Sequence, residues 1–174
     1  QKNAFPYAAL MENWGSDYNL STLIRNANAF GAKEVFYLKE KKKWDTRGAV
    51  GTHHYSNVQH LSSYEEVEEL KKRYKFVAIE NGLSAASTLA NYEWKADTLL
   101  VFGEEGNGLS KQMLAMCEDI VYIPQYGSVR SLNVGTTSGI IMNDLVSKTI
   151  YNVGLNNGRN TKRGTRRPQT QTAF

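Results

Sequence analysis

The feature that most constrains this chain is the alternation of short apolar, β-rich segments with amphipathic helical patterns. The β-rich segments are Glu34–Leu38, Phe76–Ile79, Thr98–Phe102 and Ile120–Ile123, with a weaker one near Asn57–Leu61. Between them, Leu20–Phe30 places Leu20, Leu23, Ile24, Ala27 and Phe30 at three- and four-residue spacing, and Gly31 follows as a stop. Ser63-Tyr64-Glu65-Glu66 matches a capping box, with Val67 and Leu70 on one face behind it. Ser110 is placed to cap a short helix reaching Cys117, and Ser131–Val153 reads as a long final helix whose early turns are weakened by Gly135 and Gly139. Strands that alternate with helices pair in parallel, because each crossover returns the chain to the same edge. The expectation is an α/β fold: one parallel sheet with helices on both faces, occupying residues 1–153.

The 174 residues suit a single domain with a core large enough to need no staple. The net charge of +4 is a property of the C-terminus. Five of the 21 cations (Arg159, Lys162, Arg163, Arg166 and Arg167) fall in residues 154–174, which hold no carboxylate, leaving 16 cations against 17 anions before them. That segment is poor in aliphatic residues and is expected to be a disordered basic tail, either simply solvated or a phosphate-contacting arm. No apolar run approaches the roughly 20 residues of a membrane span. The single cysteine, Cys117, excludes an internal disulfide and suits a reducing, cytoplasmic location. The chain opens on Gln1, as a trimmed, processed or excised chain would.

Ligands of open parallel sheets bind beyond the C-terminal ends of the strands, so the loops there carry the functional information. After Thr98–Phe102 comes Gly103-Glu104-Glu105-Gly106-Asn107-Gly108, whose spacing is not that of a dinucleotide fingerprint and which lacks the Lys of a P-loop. Its two carboxylates would repel a pyrophosphate, and a plain tight turn accounts for it equally well. After Ile120–Ile123 comes Pro124-Gln125-Tyr126-Gly127-Ser128-Val129-Arg130-Ser131-Leu132-Asn133-Val134-Gly135, where Ser131 reads as an N-cap and Asn133 as a first-turn residue. In the first helical pattern Asn19 reads as an N-cap, and Arg25 interrupts a mostly apolar or small stretch. His53, His54 and His60 lack a carboxylate or cysteine at metal-site spacing, so no metal is expected. Lys39–Lys43 and Arg47 read as a solvated loop or as part of a basic RNA track, and Cys117 as a packed small hydrophobe.

Taken in order, Asn19 with Arg25 six residues on, then Leu100-Val101-Phe102-Gly103-x-Glu105-Gly106-x-Gly108, then Ile123-Pro124-x-x-Gly127-Ser128-Val129-x-Ser131-Leu132-Asn133-Val134, resemble the three motifs of the SpoU (TrmH-type) RNA 2′-O-ribose methyltransferases of the SPOUT superfamily. The resemblance spans roughly Asn13 to Val153; Glu104 departs from it, since many relatives carry a small residue there. It implies a C-terminal trefoil knot whose loops bind S-adenosyl-L-methionine, with Gly103, Ile123 and Leu132 at the adenosine end and Gly127 allowing close approach. It also implies a catalytic group of Arg25, Asn19, Ser131, Asn133 and Glu105. Arg25 takes the activating role, and Glu105 accepts backbone hydrogen bonds in the knot loop or lends negative potential near the sulfonium. A guanidinium is always protonated, which suits it to gripping a phosphate and stabilising a developing alkoxide better than to abstracting a proton.

The substrate class implied is structured RNA. Transfer RNA is favoured over ribosomal RNA, because relatives acting on the ribosome often carry a further N-terminal RNA-binding domain. A homodimer is expected through the final helix, whose Ile140, Ile141, Leu145 and Ile150 form an apolar face. Two other functions stay open: a knotted RNA-binding module without catalysis, and a knotted enzyme that methylates a base.

Overall fold

The computed structural model describes residues 5–15, 17–54 and 56–158. Seven strands form one sheet in the order β3-β2-β1-β6-β4-β7-β5, and every pairing is parallel. The strands are β1 (Phe5–Glu12), β2 (Ala32–Leu38), β3 (Val58–Leu61), β4 (Lys75–Ile79), β5 (Ser87–Thr88), β6 (Thr98–Phe102) and β7 (Asp119–Tyr122). The helices are α1 (Asp17–Ala29), α2 (Tyr64–Glu69), α3 (Lys111–Met116) and α4 (Val134–Gly158). The expected α/β architecture is therefore present, with two cores on opposite faces of the sheet. Tyr7, Ala9 and Met11 of β1 pack with α1 and α4 residues such as Leu23, Ile24, Ile141 and Leu145. Ala8 and Leu10 point the other way, into a core shared with Val67 and Met113. Among the described residues no helix is long and apolar enough to cross a membrane.

The largest departure from the sequence expectation is β1. It pairs with both β2 and β6 and is wholly buried from Tyr7 to Glu12, yet no strand was expected there. Pro6 and the Ala8-Ala9 pair disguise it, since both residue types are poor strand formers. Burial on both faces demands residues without charge along most of the strand, regardless of propensity. Pro6 has no N–H for the ladder; its carbonyl accepts the Asp97 N–H at 2.7 Å, and the β1–β2 register shifts between Phe5 and Ala8. The two-residue edge strand β5 was also unexpected.

The helix ends differ in instructive ways. Asn19 is not an N-cap: α1 starts two residues earlier, and Asn19 is a buried position inside it. Ser63 and Ser110 do cap α2 and α3, accepting the Glu66 and Met113 N–H groups. The Glu66 carboxylate takes the N–H of Ser62 rather than of Ser63, so the capping box is displaced by one residue. The last helix begins at Val134 rather than Ser131, and Asn133 is its cap, Oδ1 accepting the Thr136 N–H at 3.2 Å. It continues to Gly158, five residues into the segment read as tail; residues 159–174 lie outside the described residues. Its apolar face is divided: Ile141 and Leu145 are buried in the core, whereas Ile140 and Ile150 are 39% and 57% exposed.

Candidate functional site

Three of the sequence-predicted residues meet at one point. Asn19 on α1 donates its amide to Glu105 Oε2 at 2.9 Å. Asn133, at the start of α4, donates to Asn19 Oδ1 at 2.9 Å and to the same Glu105 oxygen at 3.3 Å. These residues lie 86 and 114 positions from Asn19, so one carboxylate ties together the first helix, the loop after β6 and the start of the last helix. The observed partners of Glu105 are thus side-chain amides and not the backbone N–H groups expected of it. A second tie runs along the helices, where Asn26 donates to the Gly135 carbonyl at 2.8 Å and to Ser138 Oγ at 2.9 Å.

Beside this node lies a cavity of about 190 Å³ at the C-terminal ends of β4, β6 and β7. Gly103, Ile123 and Leu132 line it, as does Ser131 on its exposed rim. Ile79, Phe102 and Val134 add apolar wall. Gly103 has no room for a side chain: a Cβ there would sit 2.5 Å from Leu109 N and 2.6 Å from the Gly108 carbonyl oxygen. Gly127 does not join the lining, and nothing stands within 4 Å of where its Cβ would be.

The role expected of Glu105, holding the glycine loop by its backbone, belongs instead to Glu80. This residue follows β4 directly, lines the cavity, and accepts the Leu109 N–H on Oε2 at 2.9 Å and the Asn81 N–H on Oε1 at 3.1 Å. Gly108, with a φ of +66°, packs so close that a Cβ would overlap Glu80 Oε2. Glu12, buried at the end of β1 on the other side of β6, does the same service, accepting the Ser110 N–H at 2.9 Å and the Tyr64 hydroxyl. The sequence did hold a signal for both: a carboxylate closing an apolar strand sits where parallel sheets bind ligands.

Two acceptors in the lining, Gln125 Oε1 and Glu104 Oε2, are buried without a hydrogen-bond partner. Orphaned buried acceptors are costly, and a ligand rich in donors relieves them. An adenosine with its amino group and ribose hydroxyls, carrying a cationic sulfonium and ammonium, meets that need, and the apolar wall suits the flat ring.

Arg25 stands apart from the node. It is exposed on α1, outside the cavity lining, on a strip shared with Tyr18 and Ala29. The loop after β2 flanks that strip, since Ser21 donates to the Asp45 carbonyl at 2.9 Å and Asn28 to Ser56 at 3.2 Å. Arg25 follows Ser21 by four residues, so it lies about one turn further along the same side. The loop exposes Lys41, Lys42 and Lys43 to solvent. Arg47 is paired with Asp45 at 2.6 Å and holds that carboxyl down at about 2. His60 makes a 2.7 Å hydrogen bond with the Lys39 carbonyl. Cys117 packs as expected, its thiol pushed up to about 12 by burial.

Comparison with known proteins bears on the whole arrangement. Residues 7–143 match the SpoU rRNA Methylase family. The 23S rRNA (guanosine-2′-O-)-methyltransferase RlmB of Ralstonia nicotianae is 30% identical over 148 residues, 81% of this chain and 58% of that protein. The tRNA (guanosine(18)-2′-O)-methyltransferase of Aquifex aeolicus is 26% identical over 147 residues, 82% of this chain and 68% of that one. The chain spans about three-fifths of the length of several other curated relatives. Among solved structures, the A. aeolicus TrmH/SpoU tRNA modifying enzyme superposes with a TM-score of 0.78 at 23% identity, covering 88% of this chain and 80% of that one. The SpoU methyltransferase AviRb of Streptomyces viridochromogenes, in complex with AdoMet, gives 0.75 at 23% identity, covering 85% and 60%.

Proposed function

This chain belongs to the SpoU rRNA methylase family, and on that premise we propose that it transfers a methyl group from S-adenosyl-L-methionine to a ribose 2′-hydroxyl of a structured RNA. The observation that carries this reading is the adjacency of the cavity to the Asn19–Glu105–Asn133 node. A donor-seeking nucleoside pocket thereby opens beside the residues that the three motifs contribute. The cofactor, when bound, supplies the electrophilic methyl carbon. The protein supplies position and charge. Gly103, Ile123 and Leu132 hold the adenosine end, while Glu105, by gripping both amides, keeps Ser131 and Asn133 at the rim where a ribose approaches. Arg25, charged and exposed outside the cavity, grips an RNA phosphate and so helps set the ribose at that rim; preorganised charge of this kind is often a large catalytic contribution. Lys41, Lys42 and Lys43 are exposed on the loop that Asp45 ties to α1, and they and the cations of residues 159–174 add to RNA affinity. The family's trefoil knot accompanies the fold, two copies pair through α4, and the lone cysteine suits the cytoplasm.

The test is transfer of a radiolabelled methyl group to transcribed transfer RNA and to ribosomal RNA fragments, with the product mapped by resistance to alkaline cleavage. Transfer RNA is tried first, because the relative named for it in Aquifex is covered most fully among those described above. A cleavage-resistant linkage supports the proposal. Label on a base would favour the base-methylating alternative, and RNA binding without transfer would favour the non-catalytic module.

A further inference from the structure

We propose that Glu80 recognises the ribose of the bound adenosine, its carboxylate accepting hydrogen bonds from the vicinal 2′- and 3′-hydroxyls. The inference rests on the cofactor reading above and adds to it a residue outside all three motifs. In the sheet β4 lies between β6 and β7, the two strands whose following loops enclose the cavity, so the residue that ends β4 stands between those loops. Glu80 occupies that position. Each of its oxygens already holds one backbone N–H, from Leu109 and from Asn81, which fixes the plane of the carboxylate. An ionised carboxylate offers about four lone-pair directions, so one on each oxygen remains for a ligand. The close backbone of Gly108 prevents the group from swinging toward the loop. No ion pair engages Glu80 among the described residues, so the negative charge in the wall is met by two amides and by whatever donors a ligand brings.

A vicinal diol matches this geometry: two O–H donors on adjacent carbons, presented together to two fixed acceptors. The competing donor is the ammonium of the amino-acid end. Glu104 is better placed for a cation, since its Oε2 lacks a partner and stands against Gly15, at the end of the loop that leads into α1. Glu80, next to Ile79 of the apolar wall, is left to the neutral nucleoside.

The experiment is calorimetric binding by the full chain and its Glu80→Gln variant. The probes are S-adenosylhomocysteine, 5′-methylthioadenosine, which lacks the amino-acid end, and the 2′,3′-dideoxy analogue of methylthioadenosine. The wild-type chain should prefer methylthioadenosine to its dideoxy analogue by about tenfold or more, the scale of one or two hydrogen bonds to a charged group. Glu80→Gln should weaken methylthioadenosine and S-adenosylhomocysteine binding by about tenfold and the dideoxy analogue by less than about threefold. Equal losses for all three ligands would reduce Glu80 to a clamp on the loop, and a loss confined to S-adenosylhomocysteine would assign it to the ammonium; either overturns the proposal. The wild-type preference needs no variant to fold, and its absence overturns the proposal by itself. If the wild-type chain binds none of the three, the cofactor reading itself fails.

Discussion

Replacing Gly103 with alanine tests whether the cavity depends on direct backbone-to-backbone packing. The new methyl would meet Leu109 N at 2.5 Å and the Gly108 oxygen at 2.6 Å, and both are main-chain atoms with no rotamer to escape into. An ordinary contact is near 3.5 Å, so the loop must retreat by about 1 Å. Overpacking of this kind costs about 1–3 kcal/mol. The retreat also breaks the Leu109 hydrogen bond to the Glu80 carboxylate, worth about 1.5–3 kcal/mol. Together these give a loss of about 3–5 kcal/mol, or roughly 6–20 °C in melting temperature for a chain of this size. Cofactor affinity should fall with it, because the displaced segment lines the cavity. Gly127→Ala is the control: its methyl enters open space, and stability should change by no more than about 0.5 kcal/mol. Thermal denaturation and calorimetric titration of both variants provide the readout. A Gly103→Ala protein that melts within about 2 °C of its parent and binds cofactor equally well would refute the reasoning.

Arg25→Ala should leave melting and cofactor affinity unchanged, since the side chain is exposed and outside the cavity, while methyl transfer falls by about 100-fold or more; substantial recovery in Arg25→Lys would argue for simple charge over the planar guanidinium fork. Burial pushes the Asp17 carboxyl up, but hydrogen bonds from Lys39, the Asp45 N–H and Asn13 outweigh it and hold it below 3.8. The folded value lies under the unfolded one, so this carboxylate contributes stability above about pH 4 and loses it as the pH falls through the depressed value. Asp17→Asn should therefore cost about 1–2 kcal/mol in urea denaturation at pH 7, and the cost should shrink as the pH falls below 3.8, whereas a cost that does not change with pH would show that its charge is immaterial. Light scattering should give about twice 19.6 kDa for the native chain and a monomer for the Ile140→Asp, Ile150→Asp double variant; a monomeric native chain would exclude pairing through α4.

What the sequence determined by itself is what repeats or punctuates locally. The apolar runs at Glu34–Leu38 and Thr98–Phe102, the spaced apolar residues of α1 and the serine caps of α2 and α3 all lie within a few residues of the features that identify them. The three loop motifs were legible for the same reason, and they brought the family with them. The tertiary structure decided what depends on burial or on distant partners. β1 is a central strand because both its faces are covered, a circumstance that overrides the weak strand preference of Pro6 and two alanines. Asn19 looked like a cap and proved to be a buried link, because Glu105 and Asn133 converge on it from 86 and 114 residues away. Glu80 stands out only in the fold, which sets β4 between β6 and β7. The apolar face of α4 was one stripe in sequence and two surfaces in space, because the sheet covers Ile141 and Leu145 and does not reach Ile140 and Ile150. Periodicity shows that a residue is apolar; only packing shows what covers it.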